Sequence, residues 1–193
     1  EGVRDELELR DDRPLVLFTF HPVPLQSADS YVQAKSCLEA LAALPVRVAA
    51  SFPSPDRGAD GIIQALEEYA SHPSFVVRKS FGSRLYLGAM RLAGCVVGNS
   101  SSGLLETPFF KVPCVNVGDR QAGRLRSGNV LDVEPERGAV ENAVKFALED
   151  RAFLQRVKHC ENPYGDGTAS VKIADLLEPS LGRDDLLRKK ITY

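Results

Sequence analysis

The sequence predicts a doubly wound α/β domain built on a parallel sheet. Short apolar runs recur along the chain, and most are apolar at consecutive positions, the pattern of strands buried on both faces. Between them lie stretches with apolar residues at helical spacing, so strand and helix alternate as in a sheet with helical crossovers. The 193 residues, 44% hydrophobic and 26% charged, are an ordinary globular composition with length for one good core.

In chain order, Glu1–Arg13 is mostly charged, lacks a clean apolar period and reads as a linker or solvated terminus. Leu15–Phe20 (LVLFTF) is the first strand and ends in a His-Pro loop. Ser30–Leu44 is helical, with Val32, Cys37, Leu38, Leu41 and Leu44 on one stripe, and Pro45 stops it. Val46–Ser51 is the second strand, Ala59–Tyr69 a helix with Ile62, Ile63 and Leu66 inward, and Phe75–Val77 a short strand. Ser83–Leu92 is helical, Cys95–Val97 a strand, Leu104–Phe110 a short helix and Pro113–Val117 a strand. A basic loop, Gly118–Gly128, leads to the strand Val130–Val133. Arg137–Glu149, Ala152–Cys160 and Thr168–Leu177 are helical, and the last residues form a charged tail.

The net charge of -2 and pI near 6.0 argue against a nucleic-acid or anionic-membrane surface. No apolar run approaches the roughly 20 residues that span a bilayer, and the acidic start is not a signal peptide. Cys37, Cys95, Cys114 and Cys160 are far apart with no CxxC pair, which argues against a zinc or redox site. Cys95 and Cys114 sit in apolar runs as buried thiols, and the whole fits a reducing, cytoplasmic setting without a metal.

Sheets of this class bind ligands at the carboxyl ends of their strands, near the point where strand order reverses. The turn Gly98-Asn99-Ser100-Ser101-Ser102-Gly103 therefore draws attention. Its glycines permit close backbone approach, its serines offer hydroxyl donors, and the helix that opens after it directs N–H groups at the same spot, a setting for phosphate. The plain alternative is a turn with a serine N-cap. It is neither a Walker loop nor a G-x-G-x-x-G fingerprint. Glu106, one turn on, either complements the helix dipole or accepts hydrogen bonds from ribose hydroxyls. Arg120, Arg124 and Arg126 share one strand-end loop, as phosphate donors or as surface charge. His21 follows the first strand and can donate to a phosphate or sugar oxygen, shuttle a proton, or simply meet water. Ser54, in a turn-rich loop, and Phe81, where an aromatic could face a base, carry weaker signals. His72 and His159 read as structural.

The segment GNSSSGLLETPFFKVPCVNVGDRQAGR (Gly98–Arg124), with FTFHPV (Phe18–Val23) before it and NPYGDGTAS (Asn162–Ser170) after it, resembles the hydrolysing UDP-N-acetylglucosamine 2-epimerases. The similarity runs from about Arg13 to the tail. It implies a Rossmann-like domain, the C-terminal half of a GT-B-type two-domain fold, with residues 1–13 a linker remnant from an absent N-terminal domain, 14–180 the nucleotide-binding domain and 181–193 the tail. By resemblance Ser100 and Ser101 contact the diphosphate, Glu106 holds the ribose and Arg120 lies near the phosphates, and Gly103 is counted among the substrate-binding residues. His21 faces the sugar as the catalytic candidate, and Ser54 and Phe81 border the uracil. The implied ligand is UDP or a UDP-sugar, with no cofactor, and the implied full-length enzyme is a homo-oligomer. The family reaction eliminates UDP across the sugar C1–C2 bond and hydrates the glycal to N-acetylmannosamine, with acid–base carboxylates mainly from the other domain. The non-hydrolysing sister family typically carries HRxEN-like and SGGxQEE-like stretches where this chain has HPVPLQS (His21–Ser27) and SSGLLET (Ser101–Thr107), which favours the hydrolysing branch. A GT-B glycosyltransferase donor domain and a non-catalytic nucleotide-binding module are the competing readings.

Overall fold

A computed structural model describes residues 2–183. The charged tail expected over 181–193 lies, from residue 184 on, outside the described residues. Six strands form one all-parallel sheet: β1 (Leu15–Thr19), β2 (Arg47–Ser51), β3 (Phe75–Arg78), β4 (Cys95–Gly98), β5 (Cys114–Val117) and β6 (Val130–Val133). Their order is β3-β2-β1-β4-β5-β6, so the direction of winding reverses between β1 and β4. Thr19 lies level with both Ser51 and Gly98, and Gly98 with Asn116, so four carboxyl ends finish at one height.

The strands are buried on both faces, and their side chains divide at period two. Val16, Phe18, Val48, Ala50, Cys95 and Val97 point into one core layer. That layer is closed by α2 (Ser30–Ala42), α3 (Ala59–Glu67), α7 (Arg137–Glu149) and α8 (Arg151–His159). Leu15, Leu17, Ala49 and Val96 point into the other, closed by α1 (Gly2–Glu6), α4 (Gly82–Leu92) and α6 (Thr107–Phe110). A short helix, α5 (Ser102–Leu105), begins directly after the serine turn. All four cysteines are buried thiols.

Two expectations need correction. The N-terminal stretch is not a solvated linker. Val3 and Leu7 stand one turn apart on a single face, Leu7 is fully buried, and Val3 and Leu9 pack against the second core layer. Gly88 makes room for this: a Cβ there would lie 2.7 Å from a Val3 methyl. Val32, placed on the α2 stripe, is 62% exposed, and the inward positions are Ala34, Cys37, Leu38 and Leu41. The chain divides into two compact units, one ending at Pro163 and one starting at Tyr164. Within the second unit, α9 (Ala169–Leu177) is preceded by Asp166, whose carboxylate accepts from the Thr168 amide (3.0 Å) and hydroxyl. These bonds hold the Asp166 carboxyl down at about 2.

Candidate functional site

The site forms where β1 and β4 part. Gly98 ends β4 with φ of 134°, and a Cβ on it would fall 2.0 Å from the Thr19 carbonyl oxygen, so no other residue fits. The Asn99 amide then donates to that same oxygen (3.2 Å), tying the two strand ends together. Gly103 is similarly constrained: it is buried, and its missing Cβ faces the Cys114 sulfur at 2.8 Å. Both glycines admit close approach, but of protein to protein. At Gly103 the close contact is part of the helix–sheet packing.

Asn99, 1% exposed, is the hub of the site. Its Oδ1 accepts from the His21 amide (2.7 Å) and its Nδ2 donates to the His21 carbonyl (2.8 Å), a reciprocal pair that fixes the loop after β1. Its backbone carbonyl accepts from Arg120 Nη1 (3.1 Å) and Gln121 Nε2 (2.8 Å), which brings in the loop after β5. The loop after β2 joins through His21, whose Nδ1 accepts from the Ser54 amide (3.0 Å).

That bond decides the chemistry of His21. An Nδ1 that accepts leaves the ring proton on Nε2. Burial, followed by the positive charge of Arg120, pushes the imidazole down from 6.5 to about 4, with Asp56 partly opposing. At neutral pH His21 is therefore an uncharged N–H donor. Of the roles open to it in sequence, hydrogen-bond donation fits, whereas proton pickup at Nδ1 does not.

The serine turn has two kinds of donor. The amides of Ser100 and Ser101 have no protein acceptor among the described residues, while Gly103, Leu104 and Leu105 N–H groups are satisfied by the carbonyls of Ser100 and Ser101. Ser100 Oγ accepts from Ser102 Oγ (3.0 Å), and Ser102 Oγ lies 2.8 Å from the Tyr86 hydroxyl, itself 3.1 Å from Thr19 Oγ1. Thr19, His21, Tyr86, Ser100, Ser102 and Glu106 line one open pocket of about 330 Å3. Glu106 is half-buried there, and desolvation raises its carboxyl above the usual range.

A second pocket, lined by Phe52, Lys79, Ser80 and Phe81, joins the first through shared Ser83 and Tyr86. Phe81 is only 8% exposed and packs mainly in the core, with its remaining surface on this pocket. The hydroxyl of Ser54 turns to Asp56 (2.7 Å), so its contribution is the amide that orients His21. Of the three arginines, only Arg120 reaches the turn. Arg126 is bound to Asp132 and to the carbonyls of Gln121 and Arg124, and Arg124 is exposed. His21, Ser100 and Glu106 thus share one pocket and Ser101 lies on the same turn, while Arg120 reaches the turn through the Asn99 carbonyl and lines a separate cavity with Gly118 and Asp119. Asn99, Tyr86 and Thr19 are candidate site residues that the sequence pattern does not single out.

The UDP-N-acetylglucosamine 2-epimerase family model matches residues 2–178. A Campylobacter jejuni protein named GDP/UDP-N,N'-diacetylbacillosamine 2-epimerase (hydrolyzing) is 37% identical over 66% of this chain and 34% of its own length. A Legionella pneumophila UDP-N,N'-diacetylbacillosamine 2-epimerase (hydrolyzing) is 31% identical over 94% of this chain and 47% of its own. The chain thus spans between a third and a half of these relatives. Among solved structures, a Neisseria meningitidis UDP-GlcNAc 2-epimerase bound to UDP-GlcNAc superposes with a TM-score of 0.73 at 17% identity, over 92% of this chain and 48% of that one. The fold is that of one half of GT-B-type epimerases and glycosyltransferases. With the match extending over nearly the whole sequence, the chain belongs to the UDP-N-acetylglucosamine 2-epimerase family.

Proposed function

We propose that this chain is the nucleotide-holding, C-terminal half of a hydrolysing 2-epimerase acting on UDP-N-acetylglucosamine or a related UDP-2-acetamido sugar. The observation that carries the reading is the convergence, at the strand-order reversal, of three uncommitted donors with one carboxylate. The donors are the free amides of Ser100 and Ser101 and the Nε2–H of a neutral His21, and the carboxylate is Glu106. A diphosphate needs donors, and a ribose diol needs an acceptor. His21, Ser100 and Glu106 bring both requirements to one pocket, with the Ser101 amide on the same turn, and the adjoining pocket at Phe52, Ser80 and Phe81 offers space for the uracil.

In the proposed reaction UDP leaves across the C1–C2 bond and water adds to the resulting glycal. The chain's own part is to hold the leaving diphosphate and stabilise the charge that develops on it. Arg120, anchored through Nη1 to the Asn99 carbonyl, retains further N–H groups for this, and His21 donates without changing its protonation state. Removal of the C2 proton and protonation at the sugar fall to carboxylates of an N-terminal domain, and the chain alone is expected to bind UDP weakly and not turn over. The test is direct: UDP is titrated into this chain by calorimetry, and the two-domain protein is assayed with UDP-N-acetylglucosamine. Binding to the chain, with release of UDP and N-acetylmannosamine by the longer protein, is the expected result. A two-domain protein that interconverts UDP-sugars without releasing UDP would place the chain in the non-hydrolysing branch.

A further inference from the structure

Five hydroxyl groups run in sequence from the second strand to the serine turn. Ser51 Oγ and Thr19 Oγ1 are 3.4 Å apart, Thr19 Oγ1 and the Tyr86 hydroxyl 3.1 Å, and the Tyr86 hydroxyl and Ser102 Oγ 2.8 Å. Ser102 Oγ donates to Ser100 Oγ at 3.0 Å. The last bond has a direction, and each hydroxyl owns one proton. If Ser102 gives its proton to Ser100, it must accept from Tyr86, Tyr86 must accept from Thr19, and Thr19 from Ser51. The whole chain is thereby ordered one way. Ser100 Oγ also accepts, at 3.4 Å, from the Ser102 amide. The one protein acceptor near its own proton among the described residues is the Tyr86 phenol oxygen, which in this order already accepts from Thr19, and Ser100 lines the pocket. Both serines lie close enough to the phenol to weigh on its ionisation, and burial keeps the phenol neutral and able to donate.

We propose that Tyr86 is a positioning residue that, acting through Ser102, commits the Ser100 hydroxyl to donate its proton into the pocket and so to bind an anionic oxygen. Tyr86 makes this contribution without touching the phosphate. A phenol is the strongest neutral donor in the row, and hydrogen bonds in sequence polarise one another, so the terminal donor is stronger than an isolated serine. Without the phenol hydroxyl, Ser102 loses the donor that saturates its oxygen, and the proton order at Ser100 is no longer fixed. The inference rests on the diphosphate reading above.

The test uses this chain, two probes (UDP and inorganic pyrophosphate) and a double-mutant cycle. Tyr86→Phe keeps the ring and its packing, and should weaken both probes about 3- to 10-fold, the effect of one hydrogen bond between neutral groups, as befits a residue that does not touch the anion itself. Ser102→Ala should do the same, and Ser102→Thr, which restores the hydroxyl, should recover most of the loss. In a Ser100→Ala background, Tyr86→Phe should cost less than about 2-fold, because the end of the chain is gone. An equal loss in that background would mean that Tyr86 acts through packing and would overturn the proposal, as would undiminished pyrophosphate affinity in Tyr86→Phe. If pyrophosphate follows the expected pattern while UDP binds no tighter, the hydroxyl order stands and the nucleotide reading falls. If UDP binds well and is indifferent to Tyr86→Phe, the reverse holds.

Discussion

The two edges of the sheet carry similar side chains to opposite ends. At the amino edge, Asp11 accepts from Arg13 Nε and Nη2 (3.0 and 2.9 Å) and from Arg47 Nε (3.1 Å), while Arg13 Nη1 reaches Ser74 Oγ (2.9 Å) and Arg47 also holds the Pro73 carbonyl. The cluster turns its polar groups on one another and latches the segment before β1 to the ends of β2 and β3. At the carboxyl edge, His21, Ser100 and Arg120 use some of their valences to hold protein partners and leave others over. The difference separates a structural polar cluster from a binding one by which valences remain uncommitted, rather than by charge or residue type.

The comparison can be broken most severely at Gly98. Gly98→Ala puts a methyl within 2.0 Å of the Thr19 oxygen at a φ of 134°, and should cost more than about 3 kcal/mol or prevent folding, read by urea denaturation. Asn99→Ala strands the His21 amide and carbonyl and should cost about 2–4 kcal/mol of stability. It should also abolish detectable UDP binding under conditions where the chain remains folded. Ser101→Ala and Glu106→Ala should leave stability nearly unchanged and weaken UDP binding by about 1–3 kcal/mol each. Unchanged affinity in calorimetry would remove either residue from the site.

Acid titration sharpens the contrast, because the two edges respond in different windows. The imidazole of His21 protonates near 4 in the folded chain and near 6.5 unfolded, so the unfolded chain binds more protons between these values. Its contribution is complete above 6.5 and is lost as pH falls toward 4. The Asp11 carboxyl, held at about 2 by its hydrogen bonds to Arg13, contributes above 3.8 and is lost only as pH falls toward 2. His21→Gln should flatten the stability–pH curve in the first window alone, and Asp11→Asn in the second alone. The smallest effect belongs to Asp11→Asn at neutral pH: a slight drop in melting temperature and no change in UDP affinity, since an exposed ion pair is screened by water. A loss of UDP binding there would undo the distinction between the edges.

Strand and helix alternation was legible because burial on both faces writes itself into consecutive apolar residues, and all six strands fall where the runs do. The location of the candidate site follows from strand order, and the proposed residues His21, Ser100, Glu106 and Arg120 are marked by their places at strand ends. The N-terminal helix is not legible because Val3 and Leu7 are sparse apolar residues among charges, and the space left by Gly88 that admits Val3 leaves no local pattern. Asn99 and Tyr86 escaped for another reason. Their importance lies in partners 78 and 67 residues away, and no local pattern encodes such a contact. The close protein contacts at Gly98 and Gly103 are not legible in sequence, where a missing Cβ looks the same whether a ligand or a neighbouring strand needs the space.

The Asn99 hub carries a consequence for rates. Loops after β1, β2 and β5 are already cross-tied through Asn99 and His21, so little conformational freedom remains to be lost when a nucleotide arrives. Association should then proceed in a single fast phase. Variants that alter individual contacts should be distinguished by how long the complex survives rather than by how quickly it forms.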